Sequence, residues 1–212
     1  MKNSYICAMA DGFVSARCRH CSREADIPAY NIINTAESPE LKEKLLSGEL
    51  FIWTCPVCGT DNLLRYPLLY HDPDEKLLVW LSDGIREVEE RMEETIASEE
   101  GLSDYTARIV DTPGELMEKI KIYDAGLGDV PMEICKFVIR QELGKDVDLK
   151  FFGMDGADNR ILLTYPENGE MQVIGSGFSV YEDAAGIMRR NPQMKADGLT
   201  RVNRIWLENY IR

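Results

Sequence analysis

Four of the six cysteines fall in two C-x₂-C pairs, Cys18-Arg19-His20-Cys21 and Cys55-Pro56-Val57-Cys58, separated by 33 residues. Two intervening residues let both sulfurs of a pair point the same way around a tight turn. Each pair can then supply two corners of a tetrahedron of thiolates about 2.3 Å from a metal ion. Pro56 stiffens the second turn, and Gly59 permits the backbone conformation needed just after it. The expected ligands are therefore Cys18, Cys21, Cys55 and Cys58, and the expected metal is one zinc ion, with iron in a rubredoxin-like S₄ site as the alternative. Four thiolates fill the coordination sphere, so the metal is expected to be structural. The competing reading is two redox pairs, but a redox C-x₂-C normally opens a helix after a strand, and one motif suffices for that chemistry.

The elements that must position these cysteines read as short strands. Gly12 to Arg17 runs into Cys18, and Ala25 to Ile33 is weakly extended. Ser38-Pro39-Glu40 starts a helix to Leu46 that stops at Ser47-Gly48. Glu49 to Thr54 reads as a strand leading into Cys55, so both pairs sit at strand ends, as the knuckles of a zinc ribbon do. Asn62–Tyr70 and Lys76–Leu81 read as strands of a hairpin across His71–Glu75. The second pair, the helix before it and Leu68-Leu69-Tyr70-His71-Asp72 after it resemble the CpXC domain family of bacteria and archaea, best over about residues 14–83 and more loosely to 143. That resemblance groups the four cysteines as a set and implies no particular activity.

Gly84 to Glu100 holds seven glutamates, with Ile85, Val88, Met92 and Ile96 spaced by three and four, an amphipathic acidic helix. Beyond it, Tyr105–Val110 reads as a strand. Thr112-Pro113-Gly114-Glu115 carries a capping box before a helix, and Val130–Leu143 reads as a second, mostly apolar helix. Asp148–Met154, Asn159–Tyr165 and Glu170–Gly175 form a meander around Asp155-Gly156 and Asn168-Gly169. Tyr181–Arg190 and Leu199–Ile211 read as closing helices. The expected fold class is α+β: a zinc-ribbon-like domain over 1–83, an acidic linking helix over 84–103, and an α+β domain with a β-meander over 104–212.

Other candidates for chemistry are few. There are two histidines: His20 is expected to face solvent between two ligands, and His71-Asp72 to be a polar turn rather than a base with its carboxylate. Gly175-Ser176-Gly177 lacks the lysine of a phosphate loop and reads as a turn. Asp155–Asp158 reads as a hairpin turn rather than a calcium loop. Cys7 and Cys135 are unpaired, Cys135 as a buried small hydrophobe. No catalytic residue and no cofactor beyond the metal is assigned.

The net charge is −13: residues 1–83 carry 8 basic and 12 acidic side chains, residues 84–212 carry 16 and 25. Such a field disfavours phosphate backbones. The one basic stretch, Arg189–Arg212, is expected to be neutralised within the fold, with Glu89, Glu90, Glu93 and Glu94 as first candidates for its arginines. The apolar run Tyr5–Ala10 is shorter than a secretory core of about 7–15 residues, and none approaches the roughly 18 of a membrane span. The expectation is a cytoplasmic, non-catalytic binding or regulatory module whose partner is a protein, with no membrane contact. A nucleic-acid-associated ribbon and an enzyme with a C-terminal site are the alternatives.

Overall fold

A computed structural model describes residues 12–211; Cys7, the Tyr5–Ala10 run and Arg212 lie outside the described residues. The chain divides between Met117 and Glu118 into two units.

The first unit begins with two small hairpins. β1 (Gly12–Arg17) pairs antiparallel with β2 (Glu24–Ala29). After β3 (Ile32–Asn34), helix α1 (Pro39–Leu46) takes proline in its first turn, where the missing N–H costs nothing, and buries Leu41 and Leu45. Glu49–Phe51 forms a single 3₁₀ turn rather than the start of a strand, because Gly48 before it takes a left-handed φ of 80° and redirects the chain. β4 (Ile52–Thr54) then pairs antiparallel with β5 (Asp61–Leu63).

The expected strand Asn62–Tyr70 is therefore two strands, β5 and β6 (Leu68–Asp72). Pro67 stands between them with no N–H to give a ladder. β6 pairs antiparallel with β7 (Leu77–Leu81), the expected hairpin, and all ten residues are buried. β7 accordingly reads as a continuous apolar run, whereas β6 ends in the buried polar pair His71-Asp72. The sheet is completed by β3, parallel to β6, and by β8 (Thr106–Val110), parallel to β7. Parallel neighbours need a crossover, and helix α2 (Arg86–Ser98) supplies it, burying Ile96 and half-burying Val88 and Met92. The segment expected to link two domains over 84–103 is thus a connection inside the first unit, and the strand assigned to the second domain belongs to the first unit's sheet.

Helix α3 (Pro113–Asp124) carries the division in its second turn. Its cap forms: Thr112 Oγ1 accepts the Glu115 N–H at 3.2 Å, and Glu115 reaches back to accept the Asp111 N–H, one residue before the cap, at 2.9 Å. The second unit contains α4 (Asp129–Leu143), the antiparallel meander β9 (Lys150–Asp155), β10 (Arg160–Glu167) and β11 (Glu170–Gly177), and α5 (Phe178–Arg190). Asn168 and Gly169 both have positive φ, as a two-residue hairpin turn requires. Gly175-Ser176-Gly177 lies within β11, not in a turn. A Cβ at Gly175 would stand 3.3 Å from Arg160 Cζ, so glycine leaves room for that guanidinium. The closing helix α6 spans only Arg204–Glu208, not Leu199–Ile211, because Asn203 caps it by accepting the Trp206 N–H at 2.9 Å. The core of this unit joins Met132, Cys135 and Ile139 of α4 to Phe151, Ile161 and Leu163 of the meander and Leu207 of α6. The architecture is α+β throughout.

Candidate metal centre

β1 ends at Arg17 and β4 at Thr54, so each hairpin delivers its first cysteine straight from a strand. The two turns that follow share one hydrogen-bond pattern. In the first, Ser22 N–H donates to the Cys18 carbonyl at 2.9 Å and Cys18 N–H to the Arg23 carbonyl at 2.8 Å. In the second, Gly59 N–H donates to the Cys55 carbonyl at 2.8 Å and Cys55 N–H to the Thr60 carbonyl at 2.9 Å. Ser22 and Gly59 occupy the same place in their turns, and both are left-handed, with φ of 59° and 70°.

The turns bring the four sulfurs together. Cys18 Sγ lies 3.6 Å from Cys58 Sγ, and Cys21 Sγ 3.6 Å from Cys55 Sγ. All four are within 4.8 Å of one another, and none of the four forms a disulfide. A tetrahedron with sulfurs about 2.3 Å from its centre has edges of about 3.8 Å, so the spacing suits a tetrahedral thiophilic metal. The sulfurs pair across the two turns, whereas two redox pairs would each close within one turn.

Residues that sequence reasoning missed hold this set. Asn62, buried on β5, accepts the Arg19 N–H at 2.9 Å, donates to the Thr60 carbonyl at 2.8 Å and reaches Cys18 Sγ at 3.7 Å. Thr60 Oγ1 lies 3.4 Å from Cys58 Sγ. Only the polarity of a residue four places beyond Cys58 hinted at Asn62. The surroundings shift three of the thiols in different directions. The Cys21 N–H lowers Cys18 to about 6, and the Thr60 hydroxyl and N–H lower Cys58. Cys21 takes the Arg23 N–H, yet desolvation and the three other sulfurs push it up to about 12. Cys18 and Cys58 are thus held towards the thiolate, while a further negative charge at Cys21 is penalised by its neighbours, as in closely packed acids. A divalent ion among them removes that penalty.

The CpXC protein family matches residues 16–136, more than half of the chain and all four cysteines. The chain belongs to the CpXC family. Comparison with curated proteins and with solved structures finds no match. Cys55-Pro56-Val57-Cys58 is the CpXC motif, and the structure makes it one half of a four-sulfur site whose other half is Cys18-Arg19-His20-Cys21.

The remaining candidates fall elsewhere. His20 is exposed, as expected. His71 is not a polar turn residue: it is a buried residue of β6, its Nε2 3.3 Å from Tyr105 Oη and its Nδ1 without a partner. Burial lowers its pKa, against the pull of Asp72 and Glu37. Asp72 does cap the turn, accepting the Glu75 N–H at 3.3 Å, and is also bonded by the Tyr70 hydroxyl at 2.7 Å and Lys42 at 3.1 Å. Asp155 accepts the Ala157 N–H at 3.2 Å in the expected hairpin turn. Cys135 is buried, and its thiol is pushed up to about 12 by desolvation. In the basic stretch, Arg204 pairs with Asp146 and Glu208 of its own unit, not with the acids first considered from charge alone.

Proposed function

We propose that this CpXC protein is a cytoplasmic, non-catalytic binding or regulatory module whose first unit is held together by one structural zinc ion. The observation that carries the reading is the closed set of four sulfurs. Bound by all four, a tetrahedral ion keeps no position for substrate or water, so the metal would supply folding energy rather than chemistry. The small β1–β2 and β4–β5 hairpins have little core of their own, which makes such a staple useful. No described helix is long and apolar enough to cross a membrane.

Exposed apolar side chains support a protein partner. Ile52 and Leu63 are cross-strand neighbours on β4 and β5, 52% and 76% exposed, and Val57 in the second turn is 67% exposed. The double variant Ile52→Lys, Leu63→Lys should retain its metal and lose a partner that the wild-type chain captures by cross-linking in its native host. Equal capture by both proteins would count against the reading.

A nucleic-acid-associated ribbon is the second reading, because Arg17, Arg19 and Arg23 are exposed around the first turn. The net charge of −13 opposes it. At physiological salt, duplex DNA or RNA should bind no tighter than the non-specific range of about 10⁻⁴–10⁻⁶ M.

A further inference from the structure

Helix α4 buries a stripe of charge. Asp129, Glu133, Lys136 and Arg140 recur at intervals of four, three and four, and all are at most 6% exposed. Three of them have partners. Lys119 bonds Asp129 at 2.9 Å. Lys136 bonds Glu133 at 2.6 Å and Glu118 at 2.9 Å. Lys150 adds a third cation, 3.2 Å from Asp148 and 3.6 Å from Glu118.

Arg140 is the member of the stripe without a bonded partner. Among the described residues its side chain makes no hydrogen bond and no ion pair, although only 6% of the residue is exposed. An unpaired buried guanidinium is costly. None of its nitrogens is sealed from solvent, because His71 Nδ1 is the one fully buried side-chain nitrogen or oxygen without a partner among the described residues. The remaining exposure therefore includes the guanidinium, and it opens onto a cavity of about 380 Å³ that Arg140 lines with Phe137, Gln141, Lys145 and Arg204.

The other charges around this cavity are committed. Arg204 pairs with Asp146 and Glu208, both of which also line it, and Lys145 bonds Glu167 at 2.6 Å. The carbonyl end of α4 contributes partial negative charge nearby, but Gly144 N–H already satisfies the carbonyls of Arg140 and Gln141. Burial, and secondarily the neighbouring Arg204, hold Arg140 below the usual guanidinium range, against the pull of Glu133, Asp148 and Asp146. We infer that this cavity is a binding site for a small oxyanion, a carboxylate or phosphoryl group received in bidentate fashion by Arg140, with Lys145 and Arg204 at its rim. A guanidinium presents a planar fork that matches either group. The cavity lies wholly beyond the residues 16–136 shared with the CpXC family and does not depend on the metal reading.

The test is an NMR titration of the full chain with inorganic phosphate and, separately, with succinate, against chloride at equal ionic strength. The expected result is saturable movement of the Arg140 Nε–H and of the Gln141 and Lys145 amides, with a Kd below about 1 mM for one of the two oxyanions. The tighter of the two identifies the group recognised. Arg140→Met should abolish that movement while melting at or above the wild-type temperature, because it removes an uncompensated buried charge. Lys145→Gln, on the rim, should weaken the response several-fold in a protein that folds normally. No saturable shift, the same shift with chloride, or full retention of the response in both variants would overturn the proposal.

Discussion

Asn62 Nδ2 lies 3.7 Å from Cys18 Sγ, while Oδ1 of the same side chain accepts the Arg19 N–H at 2.9 Å. A residue that follows the second cysteine pair thus fixes the backbone and a sulfur of the first. Its donation to the Thr60 carbonyl ties it to its own turn as well. Asn62→Ala should lower metal affinity by about 10–100-fold, the usual cost of losing a residue that orients a ligand. Competition with a chromophoric chelator measures this directly, and unchanged affinity would show that the turns hold themselves.

Ser22 and Gly59 carry the same left-handed backbone, but only glycine adopts it without steric cost. Gly59→Ala should destabilise the first unit by about 1 kcal/mol. Ser22→Gly should be neutral or stabilising by less than about 1 kcal/mol, since relief of strain competes with greater freedom in the unfolded chain. Urea unfolding of the metal-loaded proteins separates the two, and a loss on Ser22→Gly equal to that on Gly59→Ala would contradict the equivalence of the turns.

His71 is buried neutral, with its pKa lowered chiefly by desolvation. Its contribution to stability is fully present above the unfolded value of about 6.5 and is lost as pH falls towards the lower folded value. Asp72, lowered by the Tyr70 and Lys42 bonds despite its own desolvation, acts in a separate window below its ordinary 3.8. Between pH 8 and 5 the wild type should therefore lose stability faster than His71→Gln. Comparing the two at each pH cancels the loss of metal to protons, which both share. Parallel curves would mean that His71 is not held neutral.

Lys136 lies between Glu118 and Glu133, and Glu118 Oε1 also accepts the Phe151 N–H at 2.7 Å. Lys136→Met leaves two buried carboxylates facing each other and should cost about 3–5 kcal/mol. Glu118→Gln should cost less, because the amide oxygen can still accept from Phe151. Thermal melts of the two variants check the order, and a mild Lys136→Met would show that solvent reaches this network.

What the sequence made legible was local. The C-x₂-C spacings, the Thr112–Glu115 cap and the Asn168-Gly169 turn each depend on residues a few places apart, and all three form as read. The meander followed from its turns, and the CpXC resemblance from the second cysteine pair. What failed depended on distant partners. β8 joins β7 through a parallel pairing that no local pattern announces. The polar stripe of α4 looked like interruptions in an apolar helix, because Lys136 meets Glu118 from 18 residues away and Lys119 reaches the Val202 carbonyl across 83. His71 read as part of a turn because His71-Asp72-Pro73-Asp74 is turn-like in composition, yet the strand continues through Asp72. Asn62 was invisible for the same reason as the stripe: its role is set by Arg19 and Cys18, more than 40 residues earlier.

X-ray absorption at the metal edge of the purified full-length protein addresses the central claim most directly. The expected result is about one zinc ion per chain, surrounded by four sulfur atoms at about 2.3 Å and no nitrogen or oxygen ligand. Cys18→Ser, Cys21→Ser, Cys55→Ser and Cys58→Ser should each remove one sulfur from that shell or empty it. A nitrogen or oxygen in the wild-type shell, a shell of fewer than four sulfurs, or a metal-free protein whose four thiols react together in the native state would contradict it.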